Sequence, residues 1–364
     1  MSEQRGSRIK AAAVAVVVAA ASVTLAAAPA AASTPSSAGK PTLRVVKTLA
    51  SNYVGPLQFA VAGPLVFVAD SFTSTLNLVG RSKPIATGPM KGGDIAGVAV
   101  DPSRLSLAYT SSNADHSTTR LTILRAGRKP VVANLSRFER IHNPDGRIQY
   151  GVAHPSKCVR NALTKAGIPV NYTGQIDSHP YAVTALRNGA WAVADAGGND
   201  LVKVDRTGHV SLLSVLPRQA LHVTPQFAAA QHLPNCVIGI TYYFEAVPTD
   251  VEIGHHGDLL VTTLPGGMGV AGSVYRIDRW TGRPSRIATG FDGATNLAVD
   301  PRGHVFVAEI NSGTISEIVR GQRVQVASLP GVVAVEYANG HLYASTAPAA
   351  SGGKGPGTIV VLGR

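Results

Sequence analysis

The arrangement of apolar and polar positions repeats along this chain. Five segments share one grammar: FAVAGPLVFVADS (59–71), VAVDPSRLSLAYTS (98–111), VTALRNGAWAVADA (183–196), VEIGHHGDLLVTT (251–263) and LAVDPRGHVFVAE (297–309). A looser sixth copy is VAVEYANGHLYAST (333–346). Each reads as a short apolar strand, a turn rich in Gly, Pro, Asp or Asn, and a second apolar strand, which is the pattern of a β-hairpin. Strand-like sequence continues after each copy, as in DLVKVD before HVSLLSVL and GSVYRID before SRIATG. That makes about four strands per copy, the unit of a propeller blade.

The spacing fits this unit. Val251 to Leu297 is 46 residues and Phe59 to Val98 is 39, close to the roughly 40–50 residues of a four-stranded repeat. Two intervals are longer: 85 residues from Val98 to Val183 and 68 from Val183 to Val251. The excess falls in two insertions, at about 134–176 and 217–247. The strand LRVVKTLA (43–50) has no hairpin partner, and the last copy, ending TIVVLGR, is one strand short. The sequence therefore predicts an all-β, six-bladed β-propeller over 43–364, with the N-terminal strand completing the last blade. Such closure removes the exposed sheet edges that invite aggregation. A β-sandwich and an open β-solenoid are the alternatives.

The N-terminus reads differently. MSEQRGSRIK (1–10) is a basic n-region, AAAVAVVVAAASVTLAAA (11–28) an apolar h-region, and APAAAS supplies small residues for cleavage after Ala30 or Ala32. This is the three-part pattern of a secretory signal peptide over 1–32; an uncleaved anchor helix is the alternative. STPSSAGK, within 33–42, reads as a flexible linker. The expectation is a secreted, extracellular monomer with no stable membrane span after cleavage.

Charge narrows the partners. The chain has 364 residues, 33 Lys+Arg against 21 Asp+Glu, and a net charge of +12. The basic residues are not clustered and are not interleaved with aromatics, so nucleic acid is not the expected partner. A small molecule, a glycan or a protein remains. The two cysteines, Cys158 and Cys236, lie one in each insertion. Both insertions follow the outer strand of one blade and precede the inner strand of the next, so both emerge on one face of a propeller. In an oxidising compartment this predicts a disulfide between them, with two free thiols as the rival.

DSHPYAV (177–183), VADAGGNDLVKVD (193–205), VPTDVEIG (247–254), TTLPGG (262–267) and GSVYRI (272–277) together resemble the ScyD/ScyE family of secreted bacterial proteins. The wider resemblance is to NHL-repeat and gluconolactonase-like six-bladed propellers. It implies fold and export, and it brings no catalytic residues with it. Gluconolactonase-like relatives hold a divalent cation in the central channel with carboxylates and an Asn, a set this sequence does not clearly reproduce.

Residues just before each inner strand are expected to ring the channel mouth: Gln58, Asp94, His179, Asp250 and Asn296. Converging there, they can bind Ca²⁺, another divalent cation or a polar ligand, or else hydrogen-bond the strand ends. A second set ends the second strands, Asp70, Asp195 and Glu309, with Glu245 closing the second insertion; these are top-face candidates, the alternative roles being turn formation and packing. No nucleophile elbow, HExxH motif or phosphate-binding loop is present. Two functions stay open. One is a binding module using the insertion-bearing face. The other is a metal-dependent lactonase or esterase with a cation at the channel mouth.

Overall fold

The apolar hairpins form antiparallel sheets of four strands each. The computed structural model describes residues 43–89, 92–266 and 271–364. The expected signal peptide at 1–32 and linker at 33–42 lie outside the described residues. Sheet I contains Pro56–Ala62, Leu65–Asp70, Thr75–Leu78 and Ala86–Thr87; sheet II contains Asp94–Asp101, Ser106–Ser112, Thr119–Arg125 and Val131–Asn134. Sheet III contains Pro180–Ala185, Trp191–Asp195, Asp200–Val204 and Val210–Val215; sheet IV contains Ala246–Ile253, Leu259–Pro265, Gly272–Ile277 and Pro284–Phe291. Sheet V contains Ala294–Val299, Val305–Glu309, Thr314–Val319 and Gln322–Ser328. Sheet VI contains Val332–Ala338, His341–Thr346, Gly357–Gly363 and, as its outer strand, Arg44–Tyr53 from the other end of the chain.

Each sheet buries its apolar side chains against the next. Ile123 and Leu121 of sheet II meet Val193 and Trp191 of sheet III. Ala192 and Leu201 of sheet III meet Val251 and Val261 of sheet IV. Val274 and Phe291 of sheet IV meet Leu297 and Val307 of sheet V. The succession continues through sheets V and VI at Ile315 and Val335. It returns to sheet I, where Phe59 and Val68 meet Tyr343 and Ile359, and sheet I packs on sheet II through Leu76 and Ile95. Second strands such as WAVAD and LLVTTLP are buried at every position. They are covered on both faces, which is why they read as continuous apolar runs. The outer strand Arg44–Tyr53 is mostly exposed.

The two insertions build one layer. It holds helices α1 (Leu135–His142), α2 (Lys157–Lys165) and α3 (Pro225–Ala230), begun by the N-cap side chains of Asn134, Ser156 and Thr224. A seventh sheet runs in the order Asn171–Thr173, Gln149–Gly151, Thr241–Phe244, Gln219–His222, so each insertion supplies two strands. The insertions join where Gly151 pairs with Tyr243. Gly151 has φ +76°, and a Cβ there would stand 2.4 Å from the Val170 carbonyl oxygen. Only glycine fits that joint. Beneath it Val152, Val159, Leu163, Tyr242 and Phe244 form a small core. Cys158 in α2 is bonded to Cys236. Among the described residues no helix is long and apolar enough to cross a membrane.

The disulfide spans 78 residues of sequence, including all of sheet III. Replacing both cysteines by serine is expected to lower unfolding free energy by about 2–4 kcal/mol, read from the denaturant midpoint of the oxidised protein. An unchanged midpoint would show that the bridge carries no stabilisation.

Candidate functional site

The first strands share a defect that sets the geometry of the centre. Their pairing with the second strand slips near the start, between Pro56 and Gln58, Pro180 and Ala182, Pro248 and Asp250, Ala294 and Asn296, and Val332 and Ala334. Such bulges re-aim the side chains that follow. Gln58, Asp250 and Asn296 thus occupy matching places inside their strands rather than just before them. They join one hydrogen-bonded set. Gln58 Nε2 donates to the Thr249 carbonyl at 3.2 Å, and Asn296 Nδ2 donates to Gln58 Oε1 at 2.9 Å. The Val335 N–H donates to Asn296 Oδ1 at 2.7 Å, and the Leu297 N–H donates to Asp250 Oδ2 at 2.9 Å. These bonds tie sheets I, IV, V and VI across the middle.

Asp70, Asp195 and Glu309 also occupy one register position, opposite Pro56, Pro180 and Ala294. Each accepts from the backbone leading into the first strand of its own sheet. Asp70 accepts from the N–H groups of Val54 and Gly55, Asp195 from that of His179 at 2.6 Å, and Glu309 from that of Asp292 at 2.7 Å. Glu309 also receives Arg323 at 2.7 Å. Glu245 is half-buried beside the seventh sheet; burial, with the charges of Asp145 and Asp177, pushes its carboxyl up to about 7.

Asp94 and His179 are set apart from the amide network and face a cavity of about 440 Å³. Leu57, Phe72, Tyr181, Val247 and Leu264 give it an apolar wall; Asp94, His116 and His179 give it a polar one. His179 Nε2 lies 2.8 Å from Asp94 Oδ2. The His116 ring stacks on His179 with centroids 4.4 Å apart and planes 16° from parallel. His116 Nδ1 is 3.0 Å from Asp177 Oδ1. Two carboxylate–imidazole pairs therefore lie face to face. Burial opposes a charge on His179, but the charge and hydrogen bond of Asp94, reinforced by Asp195 and Asp177, outweigh it and raise the imidazole above its ordinary value. The side chain of His179 is 7% exposed, against 21% for Asp94 and 18% for His116. The cavity therefore reaches Asp94 and His116 first, with His179 behind them. His116 Nδ1 faces Asp177, and in the tautomer that places the proton on Nδ1 the Nε2 lone pair is left for a ligand.

Sequence reasoning missed His116 and Asp177. His116 sits in the loop between the second and third strands of sheet II, at φ +55°, a conformation uncommon for a residue other than glycine. The available signal was NADHST, which makes this connection longer than its counterpart in sheet I. It also missed Glu252 and Glu336, which follow Asp250 and Ala334 by two residues along their strands. Burial pushes Asp250 up to about 7; burial and the Asp250 charge push Glu252 up to about 8. Burial, then the charges of Glu252 and Asp250, raise Glu336 well above the ordinary range. Among the described residues no three His, Cys, Asp or Glu side chains are grouped so as to hold a metal ion.

The sequence matches no protein-family model and no curated protein. Solved structures are similar in fold. The PQQ-bound aldose sugar dehydrogenase of Streptomyces coelicolor is 14% identical, with TM-score 0.55 over 88% of this chain and 97% of that one. A candidate oxidoreductase (glucose dehydrogenase) from Thermus thermophilus is 15% identical, with TM-score 0.54 over 88% and 99%. A gluconolactonase from Xanthomonas campestris is 13% identical, with TM-score 0.49 over 88% and 89%. The chain has a β-propeller fold.

The inner carboxyls make stability depend on pH. A carboxyl raised in the folded state contributes stability that is full below its unfolded value and lost as pH rises through the folded one. For Asp250 and Glu252 that window runs from the ordinary 3.8 and 4.5 to about 7 and about 8. Stability should fall between pH 5 and pH 8.5, and Glu252→Gln should flatten the fall and gain about 1–3 kcal/mol at the alkaline end. Denaturant unfolding across this range checks it, and a steeper dependence in the variant would contradict it.

Proposed function

We propose that this chain is a secreted, ScyD/ScyE-like β-propeller of six blades, sheets I to VI, and that its function is to bind a small organic molecule in the cavity beside the insertion layer. The export pattern at 1–32 and the Cys158–Cys236 bridge support the secreted reading. The observation that carries the binding reading is the stacked His116–His179 pair, each ring backed by a carboxylate and set against an apolar wall. A concave, largely apolar space with a few convergent polar groups is what a small ligand requires. The polar end of the ligand would meet Asp94 and His116, and its body Phe72, Tyr181 and Leu264.

A hydrolytic reading is favoured by one feature. The His116–Asp177 pair has the geometry of a general base held by its orienting carboxylate. His116 would take a proton from water as that water adds to a lactone or ester carbonyl, and would return it to the alkoxide oxygen as the acyl C–O bond breaks. The candidates Gln58, Asp250 and Asn296 have most of their polar atoms engaged between sheets, which favours His116 over them as the reacting group.

The test is a thermal-shift screen of lactones, sugar acids and small aromatic acids against the wild-type protein, followed by titration of the hits. His116→Ala and His179→Gln should each weaken binding by about ten-fold or more, as expected when a buried hydrogen-bonding partner is lost. Turnover of a hit lactone, lost in His116→Ala, would move the reading to hydrolase. Hits that bind equally to both variants would place the ligand elsewhere and sink it.

A further inference from the structure

Beside Asp195 lies a group of buried carboxylates that no Lys or Arg side chain pairs with among the described residues. Glu139 comes from α1, Asp145 from the turn at 143–146, and Asp195 and Asp200 from the two ends of the turn in VADAGGND. Their exposures are 3%, 0%, 4% and 1%. After burial, the charges of Asp195, Asp145 and Asp177 push Glu139 up to about 8, and those of Asp195, Glu139 and Asp145 raise Asp200 well above its ordinary value. Hydrogen bonds offset part of this cost. Asn199 Nδ2 and the Tyr150 hydroxyl both donate to Asp145 Oδ2, at 2.9 and 3.0 Å. The remaining oxygens are unmatched: Glu139 Oε1, Asp145 Oδ1 and both oxygens of Asp200 have no hydrogen-bond partner among the described residues.

A second observation concerns a neutral side chain. Asn199 is 2% exposed, its amide is aimed at Asp145, and its Oδ1 also has no partner among the described residues. An amide oxygen cannot be satisfied by protonating the carboxyls around it unless one of them turns to donate. A hard cation satisfies both kinds of oxygen at once. Glu139 Oε2 and Asp200 Oδ1 lie 3.3 and 3.5 Å from where a Cβ on Gly198 would be, so the two carboxylates approach one small region.

We propose that this junction of α1 with the 195–200 turn is a Ca²⁺ site, with Glu139, Asp200 and the Asn199 side-chain oxygen as its protein ligands. Two carboxylates and an amide are fewer than Ca²⁺ takes, and water fills the remaining positions. Ca²⁺ fits better than Mg²⁺ because its coordination tolerates irregular geometry and mixed oxygen donors. From neighbouring elements Asp177 acts on Glu139, Tyr150 and Glu245 act on Asp145, and His179 acts on Asp195. Of these only His179 can carry positive charge, and its ring is already paired with Asp94.

The test uses the full mature protein with its disulfide intact, stripped with chelator and titrated with CaCl₂ alone. Calorimetry should give one ion per chain, and saturating Ca²⁺ should raise the thermal midpoint by roughly 5 °C. Asp200→Asn should abolish both signals. It removes a buried charge without changing shape, so its fold should survive at least as well as that of the stripped wild type. Glu252→Gln, in the inner carboxyl group between the sheets, should keep both signals. No calcium response in the wild type would overturn the proposal, and stabilisation on acidification alone would then show that protons neutralise the group. A response kept by Asp200→Asn and lost by Glu252→Gln would also overturn it, placing the ion among the inner strands.

Discussion

The two ends of the described chain hold one another. Arg44 pairs with Gly363 and Tyr53 with Gly357, and the ladder between them is antiparallel throughout, though broken by three register shifts. Tyr53, Leu49 and Ala50 of this strand join the apolar cluster that seats sheet VI on sheet I. A succession of sheets, each covering the next, would otherwise end in two uncovered faces and two open edges. With Arg44–Tyr53 in place, sheet VI has its fourth strand, and Phe59 and Val68 of sheet I find Tyr343 and Ile359. The strand itself is mostly exposed, so its contribution lies in the ladder and in completing a surface rather than in filling a core.

Closure of this kind leaves polar backbone converging at the centre, where water is scarce. The chain meets this with side chains on the first strands, just past their bulges. Gln58, Asp250 and Asn296 bond to backbone and to each other between sheets I, IV, V and VI. The same pressure explains Asp70, Asp195 and Glu309. Each sits at the end of a second strand and accepts the N–H groups of the segment entering its own sheet. A buried carboxylate is costly unless it accepts such bonds, and a strand entry is a place where unpaired N–H groups occur in every repeat.

Much of this was legible in the sequence because it repeats. The apolar hairpins, the two insertions and the unpaired strand at 43–50 could be read from period and count, and Cys158 and Cys236 from their placement in the insertions. The pins were legible as candidates, since Asp70, Asp195 and Glu309 share one place in the grammar. Their hydrogen bonds were not, because a carboxylate that accepts backbone N–H groups and one that binds a ligand are the same letter. His116 and Asp177 were hidden for a different reason. Neither belongs to the repeat; they lie 61 residues apart and meet only when sheets II and III pack. Glu252 and Glu336 were passed over because a charged residue in an apolar strand resembles a solvent-facing position, whereas here it faces inward.

His179 shows how these constraints turn a scaffold into a site. Its peptide N–H is held by Asp195 of sheet III, its ring by Asp94 of sheet II, and its face by His116 from the loop of sheet II. Three independent contacts fix one imidazole, so its place depends on how two sheets are docked rather than on its own rotamer. Side chains held this way are ordered by folding itself, and a ligand that met them there would not have to pay for ordering them. Asp195 belongs both to this arrangement and to the buried carboxylate group behind it. The charge state of that group therefore bears on the strength with which Asp195 holds the His179 N–H. The cavity and the junction beneath α1 meet at the turn that begins with Asp195, whose carboxylate accepts the N–H groups of His179, Gly197 and Gly198.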